Sequence, residues 1–380
     1  VYYNMNKKST KALASATLMS LVLTTALTAG PAKAAATSAT RVSGSDRYET
    51  AANVATKNWT TSDNVVLVSG QGYADAVSAS ALAKQLNAPI LLTTTNTLSA
   101  STSAALTKLQ AKNIYVIGGN ASVSQSVRDQ LKKSYTLTEL SGNTRYETNV
   151  AVANELVKLG VKKDNVLVVG GNGFSDALSV APIASAKGEI LLLADNSQSD
   201  SKGAIDFANG SNVTVVGTSN VISDAIKNDF STSAKRVNGG SDRFATNLNV
   251  LSAFSSDLKA DKLYVANASG NGYADALVAS AIAGKTASPL VLVDTDSSDA
   301  TTNAINYMKG EATKTTDTEI VGGTGVVSDT LLGNINSAIY GTTPTTDAQV
   351  QSVSAVNLNQ IKVVFNQEVD SDTAETVSNY

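Results

Sequence analysis

Arg47, Arg145 and Arg243 recur at a constant spacing of 98 residues, and each stands before an aromatic residue. The surrounding blocks read Arg41-Val-Ser-Gly-Ser-Asp-Arg-Tyr-Glu-Thr50, Leu140-Ser-Gly-Asn-Thr-Arg-Tyr-Glu-Thr148 and Arg236-Val-Asn-Gly-Gly-Ser-Asp-Arg-Phe-Ala-Thr246. A guanidinium is a planar fork of fixed donors that matches phosphate or carboxylate. Three forks at equivalent positions suit three units of an anionic polymer, because linked weak contacts add up to a strong one. The competing reading is internal: each arginine pairs with an acid of its own repeat, such as Asp46 or Glu49.

A second block recurs after a short apolar run: Gly70-Gln-Gly-Tyr-Ala-Asp75, Gly171-Asn-Gly-Phe-Ser-Asp176 and Gly270-Asn-Gly-Tyr-Ala-Asp275. Glycines between a strand and a helix expose backbone N–H groups that favour anions. They equally serve as a tight turn that lets the helix fold back. We expect Gly72, Gly173 and Gly272 to be such turn residues. Asp75, Asp176 and Asp275 then fall in the first helical turn, where a carboxylate caps the backbone. Tyr73, Phe174 and Tyr273 read as packing residues, since Phe174 shows that no hydroxyl is required. A dinucleotide fingerprint needs a third glycine that these blocks lack. The run Asp294 to Asp299 carries oxygen ligands without EF-hand spacing and reads as an exposed loop.

The chain has no cysteine and no histidine. That excludes disulfides, a cysteine nucleophile, a Ser-His-Asp triad and imidazole-containing zinc sites. No metal, no cofactor and no catalytic residue is expected.

The elements that must position these residues also repeat. Val65 to Val68 reads as a buried strand, Tyr73 to Leu86 as a helix, and Ile90 to Leu92 as a strand. Ser99 to Leu109 follows as a helix, Ile114 to Ile117 as a strand, and Ser122 to Leu131 as a helix. Pro89-Ile-Leu-Leu92, Glu189-Ile-Leu-Leu192 and Pro289-Leu-Val-Leu292 correspond, as do the glycine turns after Ile117, Val216 and Val321. Apolar strands without alternation, separated by helices, imply a parallel sheet covered on both faces. The fold class is α/β: three tandem doubly wound modules over residues 35–137, 138–235 and 236–340. The period is too long for a solenoid. A polar linker is expected over 341–349, and two strands within 350–380 suggest the start of a further β domain.

At the amino end, Lys7, Lys8 and Lys11 precede a short apolar run, and Ala32-Lys-Ala34 offers a cleavage site, so residues 1–34 read as a secretory signal peptide. Losing four lysines would take the formal charge from −3 to −7. A mildly acidic secreted chain is a poor fit to nucleic acid, and no membrane contact is expected after cleavage.

Taken together, the arginine–aromatic start, the G-x-G-[YF]-[AS]-D-A block, the P-I-L-L run and the I-G-G turn resemble the clostridial cell wall binding repeat, type 2, over roughly Arg41 to Ile339. The tail looks like the opening of a bacterial Ig-like domain. The resemblance implies three repeats around a pseudo-threefold axis that anchor a surface protein noncovalently to an anionic secondary wall polysaccharide. It points to Arg47, Arg145, Arg243, Pro89, Pro289, Gly118, Gly119, Gly322 and Gly323 as polymer-binding residues. Glu189 in place of the proline, and Thr218 in place of the second turn glycine, would weaken the second site. Two other functions stand beside anchoring: a wall hydrolase or its accessory module, and a lattice-forming surface-layer subunit in contact with other surface-layer proteins.

Overall fold

The computed structural model describes residues 38–72, 75–173, 175–270 and 273–341, and the backbone of 350–357 and 360–365. The expected leader, nearly all of the expected linker, and Tyr73, Phe174 and Gly272 lie outside the described residues. The chain opens with β1 (Thr40–Val42) and α1 (Arg47–Asn58). A first cycle comprises β2 (Asn64–Ser69), a 3-10 turn (Ala76–Ser78) leading into α2 (Ala79–Gln85), β3 (Ile90–Thr93), α3 (Ala100–Lys108), β4 (Asn113–Ile117) and α4 (Gln125–Lys132). The second comprises β5 (Thr136–Leu140), α5 (Arg145–Lys158), β6 (Asn165–Gly170), α6 (Ser175–Lys187), β7 (Ile190–Ala194), α7 (Gln198–Phe207), β8 (Asn212–Val216) and α8 (Asp224–Phe230). The third comprises β9 (Lys235–Val237), α9 (Arg243–Ala253), β10 (Lys262–Asn267), α10 (Tyr273–Thr286), β11 (Leu290–Val293), α11 (Asp299–Glu311), β12 (Asp317–Val321) and α12 (Asp329–Tyr340). A separate antiparallel hairpin, β13 (Val350–Asn357) and β14 (Gln360–Phe365), follows.

Three four-stranded parallel sheets result, ordered β3-β2-β4-β5, β7-β6-β8-β9 and β11-β10-β12-β1. The uninterrupted apolar runs are the reason. Val65 to Val68 are wholly buried, as a strand flanked by two others and covered on both faces must be. The order reverses beside the first strand of each cycle, the doubly wound pattern with a crevice at the carboxyl ends.

Each sheet borrows its fourth strand from the next repeat. β5 and β9 close the first and second sheets. β1 crosses to the third, where Arg41 lies opposite Ile320. The sequence period and the sheets are therefore out of phase: positions 138 and 236 fall inside β5 and β9. At the centre α2, α6 and α10 pack on one another, equivalent position to equivalent position. The Ser80 and Ser280 hydroxyls touch, and a Cβ on Gly284 would lie 2.3 Å from that of Ser185. Residues of α10 from Tyr273 to Gly284 are buried all round, as a helix at a domain's axis must be. At the amino ends of the strands a second ring of contacts joins the repeats. Lys285 sits over the Trp59 ring at 4.0 Å, Lys187 sits over Phe254 at 5.7 Å, and Gln85 donates to the Leu159 carbonyl.

The borrowed strand is fastened by a guanidinium. Arg41 Nη1 donates to the carbonyls of Gly322 and Val327, with Asp329 beside it at 3.1 Å. Arg236 does the same with Gly217, Ile222 and Asp224. In the first sheet the register puts Glu139 at that strand position, and the guanidinium arrives from the opposite side. Arg128 of α4 bonds the carbonyls of Gly118 and Val123 and pairs with Glu139 at 2.7 Å. The acceptors are equivalent, and only the element that delivers the charge has changed. The outer edges of β7 and β11 are closed by amides: Asn149 bonds the Leu191 carbonyl and the Leu193 N–H, and Asn247 bonds the Leu290 carbonyl and the Leu292 N–H. Ala51 holds that position in the first repeat.

Arg128 is only 2% exposed, so its removal strands two carbonyls, although Glu139 keeps Lys132 at 2.6 Å. We expect Arg128→Leu to cost about 2–4 kcal/mol in chemical denaturation. Adding Glu139→Arg, which recreates the Arg41 and Arg236 arrangement, should recover most of that loss. A double variant no more stable than the single one would show that the guanidinium does not close this seam.

Candidate functional site

The arginine–aromatic block forms the loop and first turn of α1, α5 and α9. Asp46, Thr144 and Asp242 are the N-caps, accepting from the N–H groups of Glu49, Glu147 and both Phe244 and Ala245. The carboxylates of Glu49 and Glu147 reach back to the N–H groups of Ser45 and Asn143, a reciprocal arrangement that fixes a helix start. Thr50, Thr148 and Thr246 accept from the N–H groups of Gly44, Gly142 and Gly240.

The arginines do not pair with these acids, which the caps already occupy. Arg47 Nη1 donates to the Gly70 carbonyl at 2.6 Å, Arg145 to Gly171 at 2.8 Å and Arg243 to Ala268 at 2.7 Å. The arginines hold the residues just past β2, β6 and β10, and each does so beside the sheet of the preceding repeat. Arg47 also lies over the Tyr273 ring of the third repeat, 5.8 Å from its centroid.

Asp75 differs from the expected cap. Asp75 makes no side-chain cap bond; its Oδ2 accepts from Ser122 Oγ. Asp75, Asp176 and Asp275 all press on the glycine turn after the third strand of their cycle. A Cβ on Gly118, Gly217 or Gly322 would lie 2.6, 2.6 and 2.9 Å from the respective Oδ2. These glycines have φ of 108°, 120° and 128°, which a side chain rarely tolerates. Gly119 and Gly323 complete the turn by accepting from Ser122 and Val123, and from Val326 and Val327. Thr218 accepts the equivalent two bonds from Val221 and Ile222, so the threonine leaves the turn's geometry unchanged. Gly72 and Gly173 have nothing within 4 Å of an added Cβ, so neither space nor φ demands a glycine there.

The prolines stand apart from this group. The Pro89 carbonyl accepts from Val66, near the start of β2, whereas Arg47 binds Gly70 just past its end. Four residues of strand separate the two, about 13 Å, so the prolines lie at the opposite end of the sheet. Glu189 does not replace them. The N–H groups of Ala88, Glu189 and Ser288 make equivalent bonds to Ala83, Ala184 and Ala283, so Ile190 is the counterpart of Pro89 and Pro289. Glu189 pairs with Lys187 at 3.5 Å. The run Asp294 to Asp299 becomes the β11–α11 loop with Ser298 as N-cap. Among the described residues no group of three or more acidic side chains is arranged to hold a metal.

The remaining predicted residues lie at the carboxyl ends of the sheets, where Arg47 of the first repeat meets the third sheet. That junction forms a cleft of about 800 Å³, lined by Arg47, Asn267, Ser269, Asp275, Thr295 and Gly323 among others. Sequence reading missed that Asp46 and Asp296 also line it. Burial pushes the Asp275 carboxyl up to about 6, against a smaller opposing pull from Arg47. In the second repeat, burial and the Asp195 carboxylate push the Tyr146 hydroxyl up. That hydroxyl donates to Asp195 at 2.8 Å.

Three segments, residues 41–128, 139–227 and 237–332, match the family model described as Cell wall binding domain 2 (CWB2). The chain is 32% identical over 301 residues to an amidase enhancer of Bacillus subtilis (strain 168), covering 79% of this chain and 40% of that protein. It is 29% identical over 316 residues to the N-acetylmuramoyl-L-alanine amidase LytC of the same organism, covering 82% and 61%. It therefore spans less than two thirds of either relative. Cwp6 and Cwp8 from Clostridium difficile superpose with TM-scores of 0.70 at 26% and 25% identity. They cover 80% of this chain and 48% and 52% of theirs. No helix among the described residues is long and apolar enough to cross a membrane.

An acid whose folded value exceeds its ordinary 3.8 costs stability once it ionises. Below about pH 4 Asp275 is protonated in both folded and unfolded chains and contributes nothing; above about pH 6 the full penalty applies. The gap of about two pH units corresponds to about 3 kcal/mol. Asp275→Asn should therefore match the wild type in stability near pH 3 and exceed it at pH 7 to 8. Denaturation curves for both proteins at several pH values check this, and a pH-independent difference would rule the penalty out.

Proposed function

Since the chain belongs to the Cell wall binding domain 2 family, we propose that it anchors a secreted surface protein to the bacterial cell wall by gripping an anionic secondary wall polysaccharide without covalent chemistry. The observation that carries this reading is the threefold recurrence of one arginine contact at the carboxyl end of a sheet, made by Arg145, Arg243 and Arg47. Each arginine donates to a carbonyl, and a guanidinium is a planar fork of five N–H donors that suits a phosphate or carboxylate. The turns of Gly118 and Gly119 and of Gly322 and Gly323 form the floor. Pro89 and Pro289 leave the proposed site because they stand at the other end of the strands. Recurrence in every repeat suits a polymer better than a reaction, which needs one centre. In this reading residues 1–34 are the leader, the three repeats are the wall module, and β13–β14 begins an Ig-like domain.

A second reading has one observation in its favour, the names of the two relatives, an amidase enhancer and an amidase. In it the module holds a wall hydrolase, or its helper, against its substrate, and the repeats themselves remain a binding element.

Sedimentation with purified wall sacculi tests the anchor. The chain should pellet with intact walls and stay in solution once acid has stripped the secondary polymer. Conservative Arg47→Lys, Arg145→Lys and Arg243→Lys changes in one chain should weaken pelleting by about tenfold or more, because the lysine cannot make the bidentate contact. Equal pelleting with stripped walls would sink the polymer reading and point to peptidoglycan itself.

A further inference from the structure

The three repeats are not alike at the carboxyl ends of their sheets. In the first, Ser122 supplies a hydroxyl to Asp75, and Gln71 and Ser124 bridge to Thr95 across the mouth. In the second, Asn196 straps the mouth by donating to the Asn220 carbonyl and accepting from the Ser223 N–H. In the third, Val326 stands where Ser122 does, as Val221 does in the second, and its methyl groups offer Asp275 no donor. Asp296, in a loop one residue longer, accepts from Ser328 Oγ, but a carboxylate cannot make the second, donating contact that the Asn196 amide makes.

Asp275 is 9% exposed, lines that cleft and accepts no hydrogen bond among the described residues. A buried carboxylate without a donor is costly unless something brings one. The charge around it is also distinctive. Asp46, Asp275 and Asp296 line the cleft against the single guanidinium of Arg47, and Arg47 is turned to the Gly70 carbonyl and the Tyr273 ring. Three carboxylates to one guanidinium favour a cation beside Asp275, next to the anion contact proposed for Arg47. Its remaining wall is rich in hydroxyl and amide groups, with Asn267, Ser269, Thr295, Thr324 and Ser328, which suits the hydroxyls of a sugar ring.

We propose that the crevice between the third and first repeats binds a sugar unit bearing a protonated amine, with Asp275 as its counter-ion. This rests on the wall-polymer reading for its biological source, but the binding itself does not. One polymer would be held by arginine at its anionic groups in one crevice and by carboxylate at an amino sugar in another. The repeats would then read different units of the chain rather than the same unit three times.

Titration of the full chain with glucosamine, followed by calorimetry or by NMR shifts, tests the proposal; N-acetylglucosamine and glucuronate are the comparators. Glucosamine should saturate at one site per chain, with at least tenfold weaker binding of the neutral and acidic sugars. Asp275→Asn should abolish binding while leaving the protein folded. Val326→Ser, which restores the first repeat's contact in the third, should weaken binding by about tenfold. Equal binding of N-acetylglucosamine, undiminished binding by Asp275→Asn, or no binding of glucosamine at all would overturn it. Wall sedimentation of Asp275→Asn separates the two readings. A wild-type chain that fails to pellet refutes the anchor, whatever the titration shows. A wild type that pellets but does not bind glucosamine refutes only the amino-sugar site.

Discussion

A parallel sheet ends in a row of carbonyl groups, and those at its last turn must find donors or water. In this chain the donor is a guanidinium at every seam. Arg41, Arg128 and Arg236 each enter between a glycine turn and the start of the following helix, where they satisfy two backbone carbonyls. A second set, Arg47, Arg145 and Arg243, fastens the residue after the first strand of each cycle. All six arginines of the three repeats are thus used at the carboxyl ends of the strands. Arginine is suited to this work, since one planar group reaches several acceptors and keeps its charge when buried. The closed arrangement of three sheets, the placing of the crevices and the orientation of the loops around them all depend on these bonds.

The repeats have diverged by exchange as much as by loss. Arg128 with Glu139 reverses the polarity of Arg41 with Asp329 while keeping both carbonyl bonds. Such a swap requires two coordinated changes, because an intermediate with arginine on both sides, or on neither, leaves like charges facing or carbonyls bare. It also makes the first seam incompatible with the strand that closes the third: Arg41 docked into the first sheet would meet Arg128. The central helices tell a complementary story. Gly284 opposite Ser185 permits a close approach that larger residues would prevent.

Much of the architecture was legible in the sequence because strands buried on both faces must be continuously apolar. Val65 to Val68, Ile90 to Leu92 and Ile114 to Ile117 all fall inside strands. The glycine turns were visible for a related reason, since a left-handed conformation leaves few alternatives to glycine. What could not be read was non-local. β1, β5 and β9 are short and carry polar residues such as Arg41, Glu139 and Lys235. Their membership in a sheet depends on a neighbour one repeat away. Helices α1, α5 and α9, which begin at Arg47, Arg145 and Arg243, were not among the elements read from the sequence. The pairing of Glu189 with the prolines slipped by one residue because three similar apolar runs align equally well either way. The positive φ at Asn87, Gly188 and Ala287 decides the register, and only Gly188 signals it by residue type. The partners of Arg47, Arg145 and Arg243 are backbone carbonyls, which leave no trace in side-chain spacing. The bond from Ser122 to Asp75 joins residues 47 positions apart and was hidden for the same reason.

The borrowed strand sets an order of events. Arg41 and Asp329 lie 288 positions apart, so β1 is made first and meets its partner last. Chains emerge and fold from the amino end, and a contact between such distant positions carries a large loop-closure cost and slows the final step. Until α12 is in place, β12 presents an open edge, and an open edge accepts any strand that fits it. The first and second sheets close as soon as β5 and β9 arrive, within a few dozen residues of synthesis. The third stays open throughout, and for that interval the assembly is a spiral rather than a ring. Its vulnerable moment is kinetic, and at high local concentration the β1 of a neighbouring chain competes for the same edge.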